Sequence, residues 1–166
     1  VFTPLGLALL KAYESYDPEA TQETLTYRYK DLLANDSVKD PVWQYVNGAV
    51  RREVAGLGLF DILAVPINFD LGQLHKSFLE NRINLTKILA ALCEVIFHYP
   101  CDVLLLTGRP SRLPGVQAFI RMMLPLPPGR IQPMHNYRTG GWYPFHKSGL
   151  INDPKSTASV GAMLFL

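Results

Sequence analysis

Val103-Leu104-Leu105-Leu106 is an unbroken aliphatic run that leads straight into Thr107-Gly108-Arg109-Pro110-Ser111-Arg112. Such a run is what a strand covered on both faces requires. Gly108 lets the chain turn through backbone angles closed to other residues. Pro114 suits the first turn of a helix, where a missing N–H loses no partner. Behind it, Leu113, Val116, Phe119, Ile120 and Met123 recur at helical spacing. The segment is therefore predicted as strand, glycine turn, helix. Upstream, Leu85, Ile88, Leu89, Leu92, Ile96 and Tyr99 predict a helix capped by Asn84 and stopped by Pro100. Downstream, Arg130 to Pro133 is predicted as a second strand. Asp153-Pro154 then opens a last helix rich in small residues: Ala158, Ser159, Gly161 and Ala162. This order predicts an α/β layer with parallel strands.

The first third has a different character. Thr3-Pro4, Asp17-Pro18 and Asp40-Pro41 each pair a capping side chain with a proline, so three helix starts are predicted. Behind the third, Trp43, Val46, Ala49, Val50, Val54 and Leu57 keep helical spacing, and Gly56 and Gly58 end the helix. Lys30 to Asp40 reads as a polar connection. The apolar stretch from Phe60 predicts a strand near 61–68, pushed to a sheet edge by Pro66, and Leu71 to Glu80 a short helix. The whole is expected to be α+β, with a helical part over 1–60 and an α/β part over 61–166.

Composition narrows the function. With 48% hydrophobic and 18% charged residues, the chain can bury a core and is not disordered. A net charge of +2, with no basic run longer than Arg51-Arg52, argues against nucleic acid as a partner. No apolar run reaches the roughly 18 residues of a membrane span, and no signal peptide is visible. A cytoplasmic bacterial location is expected, with export as an effector left open. The start at Val1 and the end at Leu166, inside an apolar stretch, are expected of a segment of a longer protein. Cys93 and Cys101, spaced without a CxxC motif, read as buried free thiols.

The turn at 107–112 is the best candidate site. It lies at the carboxyl end of a predicted parallel strand, where open α/β sheets bind ligands. Arg109 and Arg112 can stack on a planar base or pair with an anion. The competing reading is an ordinary tight turn with solvated arginines. Asp70-Leu71-Gly72 invites a phosphate-loop reading, but the following Gln73 to Phe78 look helical, so a simple turn is expected there. His75, His98, His135 and His146 form no ligand pair on one element, and no metal site is predicted. No nucleophile motif is present, and no catalytic residue is expected. Residues 136–145, with Tyr137, Trp142, Tyr143 and Phe145, read either as a loop packed on its own aromatics or as a protein-binding surface. Asp153 is read as a helix cap rather than a metal ligand.

Two stretches carry a resemblance. Asp102-Val-Leu-Leu-Leu-Thr-Gly-Arg-Pro-Ser-Arg-Leu-Pro-Gly-Val116 resembles the adenosine motif of actin/Hsp70-like (ribonuclease H-like) ATPases. Asn152-Asp-Pro-Lys-Ser-Thr-Ala-Ser-Val-Gly-Ala162 resembles the helix that follows it in that superfamily. The wording of the first stretch is more particularly similar to the SrfB family of bacterial virulence factors, along most of the chain. The superfamily resemblance implies a helical upper subdomain, a lower sheet-containing subdomain, and ATP with Mg bound between two lobes. It implies nucleotide contacts from Gly108, Arg109, Ser111 and Arg112, with Pro114 starting the helix. More distantly, it implies that Arg51 and Arg52 face the base. Thr107 replaces a usual glycine, Arg109-Pro110 adds a residue, and Gly48 replaces an acidic partner. The phosphate loops and Mg-binding acids of the superfamily have no counterpart in this sequence. The chain is therefore expected to supply the adenosine side of an ATP-binding cleft without hydrolysing ATP itself. The alternative is an actin-like scaffold or protein-interaction module.

Overall fold

The computed structural model describes residues 2–20, 24–32, 40–54, 56, 60–99 and 101–164. The expectations at Leu57, Gly58 and Pro100, and most of the Lys30–Asp40 connection, lie outside the described residues. The chain divides into two compact units, Val1–Tyr13 with Glu19–Leu71, and Glu14–Pro18 with Gly72–Leu166. The division falls downstream of the 60/61 boundary expected from the sequence.

The first unit holds α1 (Phe2–Glu14) up to Tyr13, β1 (Thr24–Arg28), α2 (Tyr29–Leu32), α3 (Asp40–Glu53) and β2 (Pro66–Asp70). β1 and β2 form an antiparallel pair in register from Thr24 opposite Asp70 to Arg28 opposite Pro66. Both strands alternate exposed and half-buried residues, as a ribbon with one covered face must. Pro66 sits at the first position of its strand, where a missing N–H is tolerated. Tyr13, Tyr29 and Trp43 form the buried centre, with Tyr29 and Trp43 edge to face at 5.4 Å between ring centroids. Side chains of α3 fasten the next segment: Asn47 Oδ1 accepts from the Ile62 amide at 3.0 Å, and Arg51 donates to the Phe60 carbonyl at 2.8 Å. Gly56 takes a positive φ of 90°.

Two expectations for the first 70 residues need correction. Asp17-Pro18 starts no helix: the chain turns there. The strand expected near 61–68 begins only at Pro66, after a 3₁₀ turn at Ile62–Ala64 capped by Asp61. Asp61 Oδ1 accepts from the Leu63 amide at 3.1 Å, which commits the chain to a turn before it can extend.

The second unit contains α4 (Leu71–Leu79) from Gly72 onward, α5 (Asn84–Phe97), β3 (Leu104–Leu106), α6 (Pro114–Met123), β4 (Ile131–Pro133), a small hairpin of β5 (His146–Lys147) and β6 (Leu150–Ile151), and α7 (Thr157–Leu164). Asp70-Leu71-Gly72 leads directly into α4, a turn into a helix. β3 and β4 pair in parallel, Leu104 opposite Ile131 and Leu106 opposite Pro133, with α6 as the crossover. This is the βαβ unit that the aliphatic run and Pro114 predict. α6 turns Val116, Phe119 and Ile120 inward and packs against α5. Ile131, Leu106, Leu113 and Leu124 complete that core. A second cluster joins Tyr143, Ile151 and Val160, with Met134 packed against it.

Here too the structure differs from expectation. β3 is not covered on both faces: Leu105 is 55% exposed, and Val103, just before the strand, is 53% exposed. The parallel sheet has only two strands among the described residues. Asn84 is the first helical residue of α5 rather than its cap, a position taken by Ile83 without a side-chain bond. Cys93 is a buried free thiol, whereas Cys101 is free but only half-buried.

Candidate functional site

At the carboxyl end of β3 the backbone of Gly108 adopts φ 77°, ψ 166°. This region of backbone space is open to glycine and essentially closed to residues with a Cβ. The requirement is conformational, since a Cβ here would meet nothing closer than Pro110 Cδ at 3.8 Å. A 3₁₀ turn, Arg109–Arg112, follows, with Pro110 in its first positions. Ser111 is buried, and both its amide and its hydroxyl donate to the Gly108 carbonyl, at 3.2 and 2.7 Å. Its own carbonyl accepts from Gln117 Nε2 at 2.9 Å, which locks the turn to α6. Ser111 is therefore used up in building the turn.

The second motif meets this turn. The Gly108 amide donates to the Pro154 carbonyl at 3.2 Å, and Arg112 Nη1 donates to the Asn152 carbonyl at 3.1 Å. Asp153 caps the start of the closing helix, its carboxylate accepting from the Lys155 amide at 3.1 Å. The Tyr143 and Ser156 hydroxyls lie 2.7 Å apart, so the inner ring of the aromatic segment supports the same turn. Trp142 and Phe145 stand edge-on to Tyr143 yet are mostly exposed. The segment thus anchors itself through Tyr143 and presents its other rings outward.

Arg112 is half-buried and pairs through Nε with the Glu14 carboxylate at 3.1 Å. Arg109 is exposed, and its guanidinium makes no hydrogen bond or ion pair among the described residues. Arg51 and Arg52 lie on α3, in the other compact unit, and Arg51 is engaged with the Phe60 carbonyl. The structure brings Gly108, Arg109, Ser111 and Arg112 together in one turn.

Beside Arg112 lies a cavity of about 330 Å³, lined also by His135, Asn136, Lys147, Ser148 and Asn152. No local sequence signal joins these residues, because they come from three separate turns. His135 Nδ1 is buried without a hydrogen-bond partner. Burial, then the charge of Arg112, holds this imidazole below its usual range, with Glu14 pulling the other way. Among the described residues no group of three or more His, Cys, Asp or Glu side chains is placed to hold a metal ion.

A family model described as Virulence factor SrfB matches residues 1–166. The chain belongs to the SrfB family. No curated protein and no solved structure matches it. Among the described residues of this SrfB chain, no helix is long and apolar enough to cross a membrane. The family match covers both units, and the 107–114 and 153–162 stretches lie within it.

Proposed function

We propose that this SrfB chain supplies the adenosine side of a nucleotide site in an actin/Hsp70-like protein, with ATP and Mg as the ligand pair and no hydrolysis by the chain alone. The observation that supports this reading is the backbone hydrogen bond from Gly108 to Pro154. The reading requires the two motif turns, distant in sequence, to close on each other, and this bond is such a closure. In this reading Gly108 lets the ribose and α-phosphate approach the backbone closely. Arg109 and Arg112 present guanidinium planes to the base. Phosphate transfer would belong to groups outside these 166 residues.

Calorimetry with Mg-ATP tests the proposal, on this chain and on any longer polypeptide containing it. Saturable binding, weakened about tenfold or more by Arg112→Ala, is expected. Absence of binding to the longer polypeptide sinks it.

A second reading rests on the outward rings of the aromatic segment. Trp142 is 60% exposed although its neighbour Tyr143 is buried. Aromatic residues held rigidly at a surface are typical anchors for a protein partner. Under this reading the fold is an actin-like scaffold. Binding of a purified partner would then fail with Trp142→Ala and survive Arg109→Ala.

A further inference from the structure

We propose that the cavity bounded by Arg112, His135 and Lys147 is a binding site for a small phosphoryl oxyanion. Three side chains that are cationic or imidazole, Arg112, His135 and Lys147, come from three different elements to line one space of about 330 Å³, and no carboxylate lines it. Each reaches it by a different route. Arg112 ends the 3₁₀ turn after β3 and is fixed by Glu14 at Nε and by the Asn152 carbonyl at Nη1. A guanidinium held on two sides is pre-organised and loses little freedom when it meets an anion. Lys147 sits at the hairpin turn between β5 and β6, where Ser148 and Gly149 both have positive φ, at 52° and 76°. A two-residue loop with both central residues in that conformation is the tightest way to reverse a strand, so Lys147 is carried by a stiff element. Its ammonium has no ion pair among the described residues.

His135 supplies the third group. An unpartnered buried polar atom is costly and calls for an explanation. In the tautomer that carries its proton on Nδ1, the ring donates a hydrogen bond without being charged. Ser148 and Asn136 add neutral donors to the lining. A fork, a point charge and several neutral donors around one space suit a tetrahedral dianion better than a planar carboxylate, which one fork satisfies. The adenosine reading concerns the turn at 108–112, and only Arg112 belongs to both.

Titration of the isotope-labelled chain with inorganic phosphate, followed by amide shifts near neutral pH, tests the site. Sodium chloride and sodium acetate at equal ionic strength are the comparison. Saturable shifts confined to residue 112 and residues 135–136 and 147–152 are expected with phosphate. Lys147→Ala should weaken them about tenfold, Lys147→Arg should restore them, and Lys87→Ala, at an exposed position on α5, should leave them unchanged. Lys147 is exposed, so its replacement leaves the core intact. Equal shifts from chloride, or phosphate shifts that persist unaltered in Lys147→Ala, overturn the proposal. Adenosine and AMP form the last arm and locate the source of the phosphoryl group. AMP acting at 147–152 where adenosine does not assigns the site to a nucleotide phosphate. Adenosine binding at 108–112 without any phosphate response refutes the oxyanion site and leaves the adenosine reading standing.

Discussion

Single residues set the geometry of the site, and Gly108 does so through its backbone alone. Because φ 77°, ψ 166° excludes a Cβ, Gly108→Ala should destabilise the second unit by about 1–3 kcal/mol, read as a lower urea midpoint. Space is available around the position, so relief of crowding nearby should not rescue it. The histidines set a pH dependence. His75 and His135 are both held below their ordinary range chiefly by burial. Their unfolded forms therefore bind more protons than their folded forms in the interval below about pH 6.5. Stability should be full above that pH and decline as the solution is acidified through it. Urea midpoints measured from neutral to mildly acidic pH should fall less in a chain carrying both His75→Asn and His135→Asn. The turn residues were legible in the sequence because glycine and proline carry their conformational rules with them. Glu14, His135 and Lys147 were not, since nothing local in a charged or imidazole side chain says which distant turn it will meet.

Elements built on local rules formed where the sequence placed them. α6 starts at Pro114, and α7 follows the turn capped by Asp153. β4 falls within Arg130 to Pro133. β1 escaped notice for a physical reason. Thr24 to Arg28 offers only Leu25 and Tyr27 to its inner face, and its strand state depends on pairing with β2 far along the chain. Asp17-Pro18 gave a false helix start because a cap and a proline serve a simple turn equally well. Besides its backbone bonds, the aromatic segment is held by a hydroxyl contact from Tyr143 to Ser156. Tyr143→Phe keeps the packed ring and removes that bond, so a loss of about 1 kcal/mol is expected in chemical denaturation. Tyr143→Ala should cost about 3 kcal/mol or more, because it also empties the cluster with Ile151 and Val160.

At the scale of the molecule, the two compact units each contain one tryptophan. Trp43 is buried in the first and Trp142 is exposed in the second. Iodide should quench Trp142 and largely spare Trp43, as measured on the Trp43→Phe and Trp142→Phe chains. The same two variants report unfolding of each unit separately, and distinct urea transitions are expected from them. The parallel βαβ order was readable from the aliphatic run, the turn at Gly108 and Pro114, and the helical spacing behind them. The extent of the sheet was not, because an aliphatic run shows that a strand can be covered without showing how many neighbours cover it. Leu105 is the residue where that difference is visible.

The bond from Gly108 to Pro154 also has a consequence in time. It joins peptide groups far apart in the sequence, so loop-closure entropy must be overcome before the contact forms. During synthesis, β3, its turn and α6 leave the ribosome well before Pro154 does. The glycine turn therefore spends that interval without its closing acceptor and is completed only when the later strand and helix arrive. Newly made chains should bury their α6 core first and acquire the 108–112 site last.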